Sequence, residues 1–254
     1  MKITCLVKFV PNLDKKQNEK SHLVLDPESG KGLAVALGLK KTDGVTVVNV
    51  VSMGPRTVSA PMKDLVRLGA DDAVLLSDRA FAGSDSYATS HTLVRYLGRS
   101  PFDYIITGTR AMDGSTGHVG PQIAEMLGIA QVSDVVAVRE LSQQTAVIDA
   151  VVDESVVTFS MPAPAVLSIG SECRARLGFV RFQDLDKNVD GHFTVCGNEQ
   201  LRLPADSVGA RGSLTRVRDN RPIRRRRARP EIVRDDDAGI ERVHALLKEK
   251  GVLA

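Results

Sequence analysis

Aromatic side chains are scarce in this sequence, where they make up 4% of the residues and tryptophan is absent. Proteins that hold single-stranded nucleic acid stack its bases on such side chains, so this class of function has little support. The arginine-rich segment 221–229 could neutralise phosphates, but it contains no aromatic residue. It predicts a solvated arm or an anchor on the acidic surface of a partner, and we expect no nucleic-acid binding.

Cysteine is also rare, with only Cys5, Cys173 and Cys196 in the whole chain. Their number is odd, they are far apart, and no CxxC pair occurs, which excludes a disulfide framework and a zinc site built on such pairs. The histidines show no ligand spacing with one another or with the cysteines, so no protein-built metal centre is expected. This use of cysteine fits a reducing cytoplasm.

Long apolar runs are absent as well. The longest, over residues 45–53, is far shorter than the ~20 residues that cross a bilayer, so no membrane span is predicted. The amino-terminal run is brief and interrupted by Lys8, which favours a first strand over a signal peptide. No GxSxG elbow or Cys/His pairing signature occurs, and no catalytic nucleophile is expected.

Instead, short β-branched runs alternate with helical patterns through the first two thirds of the chain. Strands are predicted over residues 3–10, 45–53, 73–77 and 103–108, and helices over 27–41, 61–69 and 86–97. Such alternation is typical of βαβ units with a parallel sheet. The fold class predicted is α/β, with a doubly wound, mainly parallel sheet.

The pattern of apolar and polar residues changes towards the carboxyl terminus. Residues 146–160 alternate as in a hairpin, and 165–169 resemble another strand, so both should extend the sheet. Beyond Leu201 apolar residues become fewer until 241–251 form a short amphipathic pattern. We therefore predict a nucleotide-binding domain over 1–200 and an arm with a terminal helix over 201–254, packed on a partner.

A glycine-rich segment, GTRAMDGSTGHVGP over residues 108–121, is the strongest candidate site. It follows a predicted strand and leads into a helix, where backbone N–H groups and the helix dipole bind anions. The loop suits phosphate or pyrophosphate, although a tight turn would also explain Asp113-Gly114. It is neither a GxGxxG fingerprint nor a GxxxxGK[ST] loop. The strand ends at 6–9 and 52–55 should border the same crevice, where the second would wall an adenine ring or simply end its strand.

Several segments taken in order resemble the electron-transfer flavoprotein β subunit family over nearly the whole chain. They are LVKFVPN, DPESGKGLAVALGLKK, VVSMGP, LVRLGADDAVLLSDRAFAGSDSYATSHTL, GTRAMDGSTGHVGPQIAEMLGIAQ and VGARGSLTRV. The loop ending TGHVGP is similar to the TxQVGP of members that hold FAD and bifurcate electrons. The resemblance therefore implies FAD as the cofactor, with a structural AMP as the alternative.

The resemblance also assigns cofactor contacts, which cluster at strand ends and helix starts. They are Leu6, Asp26, Pro27, Met53, Gly54, Gly108, Arg110, Ala111, Asp113, Gly114, Ser115, Thr116, Gly117, His118, Val119 and Gly120. Contacts around the flavin ring and phosphates are implied for Asp78, Arg79, Asp85 and Thr89. Arg110 or Arg79 could place charge near the flavin, or either could be a surface residue paired with Asp78 or Asp113. His118 stands where glutamine is usual, and Asp26 where asparagine is usual.

The partners implied are an α subunit in a heterodimer, an acyl-CoA-type dehydrogenase, NADH, and ferredoxin or flavodoxin. Activity would then require the αβ complex. The docking loop of the family is represented here by Glu172, Cys173 and Arg174, with Leu177 as the residue that would reach the dehydrogenase. A different class of function is an adenine-nucleotide-binding regulatory module of the universal-stress type, which works without a redox partner.

Overall fold

The structure is a computed structural model that describes residues 1–12, 23–219 and 231–253. The arginine-rich segment 221–229 lies outside these ranges. The chain divides into two compact units, Met1–Arg216 and Val217–Ala254. Residues 201–216, which the sequence placed in the arm, are thus part of the first unit. That the second unit packs on a partner stays a prediction.

The described residues of the first unit form eleven strands, two of which make a small separate sheet. The strands are β1 (Lys2–Leu6), β2 (Phe9–Pro11), β3 (Leu23–Leu25), β4 (Val47–Met53), β5 (Asp72–Leu76), β6 (Tyr104–Gly108), β7 (Ala130–Leu141), β8 (Thr145–Val152), β9 (Ser155–Pro162), β10 (Ala165–Ile169) and β11 (Phe193–Cys196). The helices of the chain are α1 (Pro27–Asp43), α2 (Ser59–Arg67), α3 (Ser86–Leu97), α4 (Val119–Leu127), α5 (Asn198–Leu201), α6 (Gly209–Gly212) and α7 (Asp237–Glu249).

The main sheet has nine strands in the order β11-β5-β4-β1-β6-β10-β7-β8-β9. Strands β11 to β7 in that order pair in parallel, and β8 and β9 add an antiparallel hairpin. The chain moves from β1 to β4 and β5 on one side, then returns to place β6 on the other side of β1. Ligands in open α/β sheets bind at such a reversal, outside the carboxyl ends of the strands.

Helices cover both faces of this sheet, as the doubly wound prediction requires. On one face, Leu33 of α1 and Met62 of α2 pack on Ile3, with none of the three exposed. On the other, Leu97 of α3 and Ile123 of α4 pack on residues such as Ile105. Parallel strands need apolar side chains on both faces, which explains their nearly continuous β-branched sequences. The predicted α/β fold is confirmed.

The strands predicted over 45–53, 73–77 and 103–108 and the 146–160 hairpin are confirmed, and α3 begins and ends where the sequence predicted. The strand predicted over 3–10 is divided: β1 ends at Leu6, and Phe9–Pro11 pair with β3 in the small sheet. The sequence analysis did not predict the twelve-residue strand β7, the edge strand β11 or the small β2–β3 sheet. None of the described helices combines the length and apolar character that crossing a bilayer requires. Among the described residues, no cluster of three or more His, Cys, Asp or Glu side chains is placed to hold a metal ion.

In the second unit, α7 begins four residues before the predicted terminal helix, because Asp236 accepts a hydrogen bond from Gly239 N at 2.9 Å. This is the N-cap arrangement that satisfies an otherwise unpaired amide. Ile240, Val243 and Leu246 lie on this helix and are exposed in the chain taken alone.

Candidate functional site

A crevice of about 820 Å³ opens at the carboxyl edge of the main sheet, within the first unit. Four strands contribute their last residues to it: Leu6 of β1, Met53 of β4, Leu76 of β5 and Gly108 of β6. The crevice therefore lies at the reversal of strand order, where the sequence analysis placed the site. Its apolar floor comes from these strand ends, and its polar groups come from the loops that follow them.

The glycine-rich loop between β6 and α4 forms one wall of the crevice. Ser115 and Gly117 have left-handed backbone angles, with φ of 50° and 68°. Glycine adopts this conformation without the steric cost that a Cβ brings. No side chain among the described residues caps α4 at His118. The first N–H group of α4, at Val119 in the crevice lining, is thus available to an anion, as helix starts commonly are.

Two glycines let this loop and its helix sit close to their neighbours. A Cβ on Gly108 would lie 2.8 Å from Glu28 Cβ and 2.9 Å from Ser29 N. A Cβ on Gly120 would lie 2.3 Å from Ser168 Oγ, a buried hydroxyl without a hydrogen-bond partner among the described residues. The start of α4 is therefore seated directly on β10, and the loop is seated on the start of α1.

Carboxylates at the start of α1 hold the loop in place. Asp26, which is 1% exposed, caps α1 by accepting from Ser29 N at 3.2 Å, and its other oxygen accepts from Met112 N at 2.9 Å. Glu28 Oε2 accepts from Arg110 N at 2.6 Å. Because both carboxylates are occupied by the protein's own amides, they set the shape of the loop. Pro27 occupies the first position of α1, which needs no N–H donor.

Glu28 has an unusual electrostatic environment. Burial raises the pKa of its carboxyl group, and the neighbouring Asp26 and Asp134 raise it further, against the hydrogen bond from Arg110 N. The guanidinium of Arg110 opposes the rise at Glu28, and its Nη2 lies 3.7 Å from Asp134 Oδ2. The partner of Arg110 is thus Asp134, and neither Asp78 nor Asp113, the two acids considered from the sequence.

Other cations line the crevice. Lys8 Nζ pairs with Asp113 Oδ1 at 2.6 Å and so ties the end of β1 to the glycine-rich loop. Arg56 and Arg79 also line the crevice, and within the described part of the chain neither guanidinium has an acidic partner. These two charges face the space where an anionic ligand would lie, across from the helix start.

Asp78 and Asp85 line the crevice, but their carboxylates bind the chain itself. Asp78 accepts from Ala80 N at 2.9 Å and from Asn198 N at 2.8 Å. Asp85 caps α3 by accepting from Ala88 N at 3.0 Å. For both groups burial opposes ionisation, yet these hydrogen bonds leave the pKa below its ordinary value. Both are therefore charged acceptors for amides at neutral pH.

Most of the predicted contact residues are brought together by the fold. Those that line the crevice are Leu6, Asp26, Met53, Gly54, Asp78, Arg79, Asp85, Thr89, Gly108, Arg110, Ala111, Gly114, Ser115, Thr116, Gly117, His118 and Val119. Pro27, Asp113 and Gly120 lie behind this lining. Lys8 and Pro55, within the strand ends expected to border the crevice, also line it. The sequence analysis missed several lining residues, namely Arg56, Phe81, Ser84 and Leu93. The positive charge soon after the end of β4 could have identified Arg56. Contact with a cofactor stays a prediction for each residue.

Comparison with known proteins now decides the family. Residues 17–176 match the family model for the electron transfer flavoprotein domain. The chain is similar to an electron transfer flavoprotein subunit beta of Clostridium acetobutylicum, at 33% identity over 77% of this chain and 74% of the relative. This chain belongs to the electron transfer flavoprotein β subunit family.

Two further relatives carry names of larger complexes. The caffeyl-CoA reductase-Etf complex subunit CarD of Acetobacterium woodii is 29% identical over 83% of this chain and 80% of its own. The acryloyl-CoA reductase electron transfer subunit gamma of Anaerotignum propionicum is 28% identical over 85% of this chain and 86% of its own. As a β subunit of the electron transfer flavoprotein family, this chain functions in electron transfer, and members of the family pair with α subunits.

Proposed function

We propose that this β subunit binds FAD in the crevice and, paired with an α subunit, passes electrons between NADH, ferredoxin or flavodoxin, and an acyl-CoA-type dehydrogenase. The observation that carries the cofactor assignment is the start of α4, where Val119 lines the crevice beside the left-handed backbone of Gly117, and its N–H has no hydrogen-bond partner among the described residues. Amides at a helix start suit a diphosphate. The residues present therefore fit a dinucleotide.

The size of the crevice favours FAD over AMP. At about 820 Å³ it lies towards the upper end of the ~300–1,000 Å³ usual for ligand sites. Glycine amides lie on one side, and Arg56 and Arg79, which have no acidic partner among the described residues, lie near the ends of β4 and β5. A mononucleotide would occupy only part of this space. AMP is the second candidate, because the helix start alone would also bind a single phosphate.

When bound, FAD supplies the chemistry of accepting and releasing electrons. The protein's own residues bind and orient it. The amides at the start of α4 hold the diphosphate, and the apolar residues Leu6, Phe81 and Leu93 keep water from the floor of the crevice. Positive charge at Arg79 or Arg110 would favour negative charge on a nearby ring. Arg110 is partly neutralised by Asp134, which makes Arg79 the stronger candidate for this role.

The surface that follows β10 supports docking of a dehydrogenase. Phe179 and Phe182 are 96% and 91% exposed, whereas Leu177, the residue expected to reach the dehydrogenase, packs against the core. Large exposed apolar side chains commonly mark protein-binding surfaces. We assign the docking contact to the two phenylalanines. An acyl-CoA-type partner is in keeping with the names of the two relatives in CoA reductase complexes.

The cofactor assignment is tested by co-expressing the chain with its α subunit and counting the nucleotides that denaturation releases from the purified pair. Two flavins per pair are expected. One flavin and one AMP would favour the alternative cofactor. A nucleotide-bound homodimer that contains no flavin and forms no αβ pair would instead favour the universal-stress type of regulatory module.

A matched pair of variants locates the ligand. Gly117 and Gly44 have the same φ of 68°, and only Gly117 lies in the crevice. Alanine at either position carries a similar backbone strain of ~1 kcal/mol. Gly117→Ala should lower the FAD content of the β subunit, whereas Gly44→Ala should retain it. Equal retention by both variants would argue against the glycine-rich loop as the binding site.

A further inference from the structure

The segment VGARGSLT, residues 208–215, packs against the crevice wall formed by residues 79–86. Ala210 N donates to Ala82 O at 3.0 Å. Gly209 has φ of 59°, and a Cβ there would lie 2.2 Å from Ala80 O. Gly83 has φ of 75°, and a Cβ there would lie 3.1 Å from Ala210 Cβ. The two segments therefore meet backbone to backbone, a contact that only glycine permits at these positions.

Ser213 joins the two segments with one hydroxyl group. Its Oγ accepts from Asp85 N at 2.8 Å. It can donate to Gly209 O at 2.8 Å or to Gly83 O at 3.2 Å. A single hydroxyl has one donor and two acceptor positions, so Ser213 can form hydrogen bonds with both segments at the same time.

Asp85 closes this contact with its second carboxylate oxygen. One oxygen caps α3 at Ala88 N, while Oδ2 accepts from Thr215 N at 2.8 Å and from Thr215 Oγ1 at 2.9 Å. Hydrogen bonds to an ionised carboxylate are stronger than those between neutral groups. The carboxylate thus has its acceptor positions filled by the chain itself, although the residue lines the crevice.

We propose that Asp85 is a positioning residue: through Ser213 and Thr215 it fixes the 79–86 wall, and it couples occupancy of the crevice to the order of residues 208–215. This inference rests on the proposed nucleotide site. Arg79, Phe81 and Ser84 on this wall face the crevice. A ligand that binds this wall more tightly when residues 208–215 are ordered stabilises that segment, and by linkage the ordered segment strengthens ligand binding by the same factor.

The variants that test this inference separate the two carboxylate oxygens. Asp85→Asn retains one acceptor oxygen for the α3 cap but cannot serve both partners, because its amide nitrogen is a donor. Thr215→Val removes only the hydroxyl bond, and Thr215→Ser restores it. Thr158→Val is the matched control, since Thr158 Oγ1 donates to Asp149 Oδ1 at 2.7 Å in the β8–β9 hairpin, away from the crevice.

Hydrogen exchange gives a readout that needs no ligand. In the full-length chain, Thr215→Val and Asp85→Asn should speed exchange at the amides of Ala210, Asp85 and Thr215. Thr158→Val should not change these amides, and Thr215→Ser should restore the wild-type rates. Unchanged exchange at these amides in Asp85→Asn would overturn the positioning role even if the chain binds no nucleotide.

Cofactor binding gives the second readout, from FAD titration and the visible spectrum of the bound flavin. FAD binding should weaken about threefold in Thr215→Val and about tenfold in Asp85→Asn. The double variant should be no weaker than Asp85→Asn, because both changes break the same contact. If Asp85→Asn weakens binding while Thr215→Val leaves it unchanged, Asp85 touches the cofactor directly and the inference fails. A wild-type chain that binds neither FAD nor AMP would refute the proposed function alone.

Discussion

At the scale of single residues, Gly120 is required by the contact between α4 and β10. A Cβ at this position would lie 2.3 Å from Ser168 Oγ and 3.2 Å from Thr107 Cγ2. We expect Gly120→Ala to lower the free energy of unfolding by ~1–3 kcal/mol through overpacking. Denaturation by urea measures the effect. Gly38→Ala is the control, because Gly38 is an exposed residue in the middle of α1 and no heavy atom lies near an added Cβ. Its free energy of unfolding should rise by ~0.5–1 kcal/mol.

Ser168 decides whether this explanation of Gly120 is correct. Its buried hydroxyl has no hydrogen-bond partner among the described residues, so Ser168→Ala should be nearly neutral by itself. In the double variant, Ser168→Ala should recover most of the stability that Gly120→Ala loses. No recovery would mean that Gly120 is needed for a reason other than this contact.

Glu28 should make stability depend on pH. Burial raises the pKa of Glu28 in the folded protein, so the folded state binds the proton more tightly than the unfolded state. The stabilisation that this group provides is therefore lost as pH rises from the ordinary glutamate range through the raised pKa. Above the raised pKa the free energy of unfolding stays lower. Glu28→Gln lacks this titration. Its free energy of unfolding, relative to wild type, should increase across that window and then level off.

Asp43 offers a control of opposite sign for this measurement. Hydrogen bonds from Thr46 lower the pKa of Asp43, so its contribution is present above the ordinary aspartate range and is lost as pH falls through the lowered pKa. The free energy of unfolding of Asp43→Asn, relative to that of wild type, should therefore increase as pH falls. Urea denaturation over a pH series compares both variants with wild type. A flat difference for Glu28→Gln would contradict the environment described for Glu28.

At the scale of secondary-structure elements, Asp26 both begins α1 and fixes the loop that precedes α4. Its two oxygens divide these tasks, since one accepts from Ser29 N and the other from Met112 N. Asp26→Ala should cost ~0.5–2 kcal/mol for the lost cap, and leaving the Met112 amide without a partner should cost ~1–3 kcal/mol more. Urea denaturation reports the sum.

The variant Asp26→Ser separates the two tasks. Serine is a good N-cap, but its side chain is too short to cap α1 and also reach the loop. Hydrogen exchange should show α1 retained and the Met112 amide exposed. If the Met112 amide stays protected in Asp26→Ser, the loop holds its shape without this carboxylate.

The elements that the sequence predicted are those whose signal is local. Continuous apolar runs at β1, β4 and β6 identify buried parallel strands, and Asp85 with its following helical pattern fixes the start of α3. In contrast, the first five residues of β7 include the polar Gln131, Ser133 and Asp134, and its apolar run is limited to 135–138. It is a strand because β10 and β8 supply partners on both sides, which no local pattern reveals.

The same distinction applies to the site. The glycine-rich loop could be predicted because its glycines directly follow a strand pattern and directly precede a helix pattern in the sequence. The carboxylates that hold it were not, because Glu28 and Arg110 are 82 positions apart. Likewise, the sequence indicated Asp85 as a cofactor contact, whereas its partners at Ser213 and Thr215 lie about half the chain away. Long-range partners can redirect a side chain that local context places in a site.

At the scale of the whole molecule, the exposed phenylalanines lie in the segment that joins β10 to β11. This segment leaves the carboxyl end of β10 at Gly170, and it reaches the amino end of β11 at Phe193. Phe179 and Phe182 are 96% and 91% exposed within it, so a dehydrogenase can reach both side chains. Electron transfer from a cofactor in the crevice would require a dehydrogenase that docks here to approach the carboxyl edge of the sheet.

We predict that the double variant Phe179→Ser/Phe182→Ser binds less tightly to an acyl-CoA-type dehydrogenase that accepts electrons from the wild-type αβ pair. Apolar anchors of this size dominate interface energies, so the KM for the dehydrogenase should rise about tenfold or more. Flavin content and αβ pairing should not change, because neither side chain packs in the core.

The control for this experiment is Val45→Ser, which removes an apolar side chain that is 73% exposed just before β4, at the opposite edge of the sheet. Its KM should equal that of wild type, because Val45 lies outside the segment between β10 and β11 that carries the two phenylalanines. Steady-state reduction of the dehydrogenase measures both variants. An equal rise in KM for the two variants would indicate a general loss of surface hydrophobicity. An unchanged KM in the double phenylalanine variant would place the docking surface elsewhere.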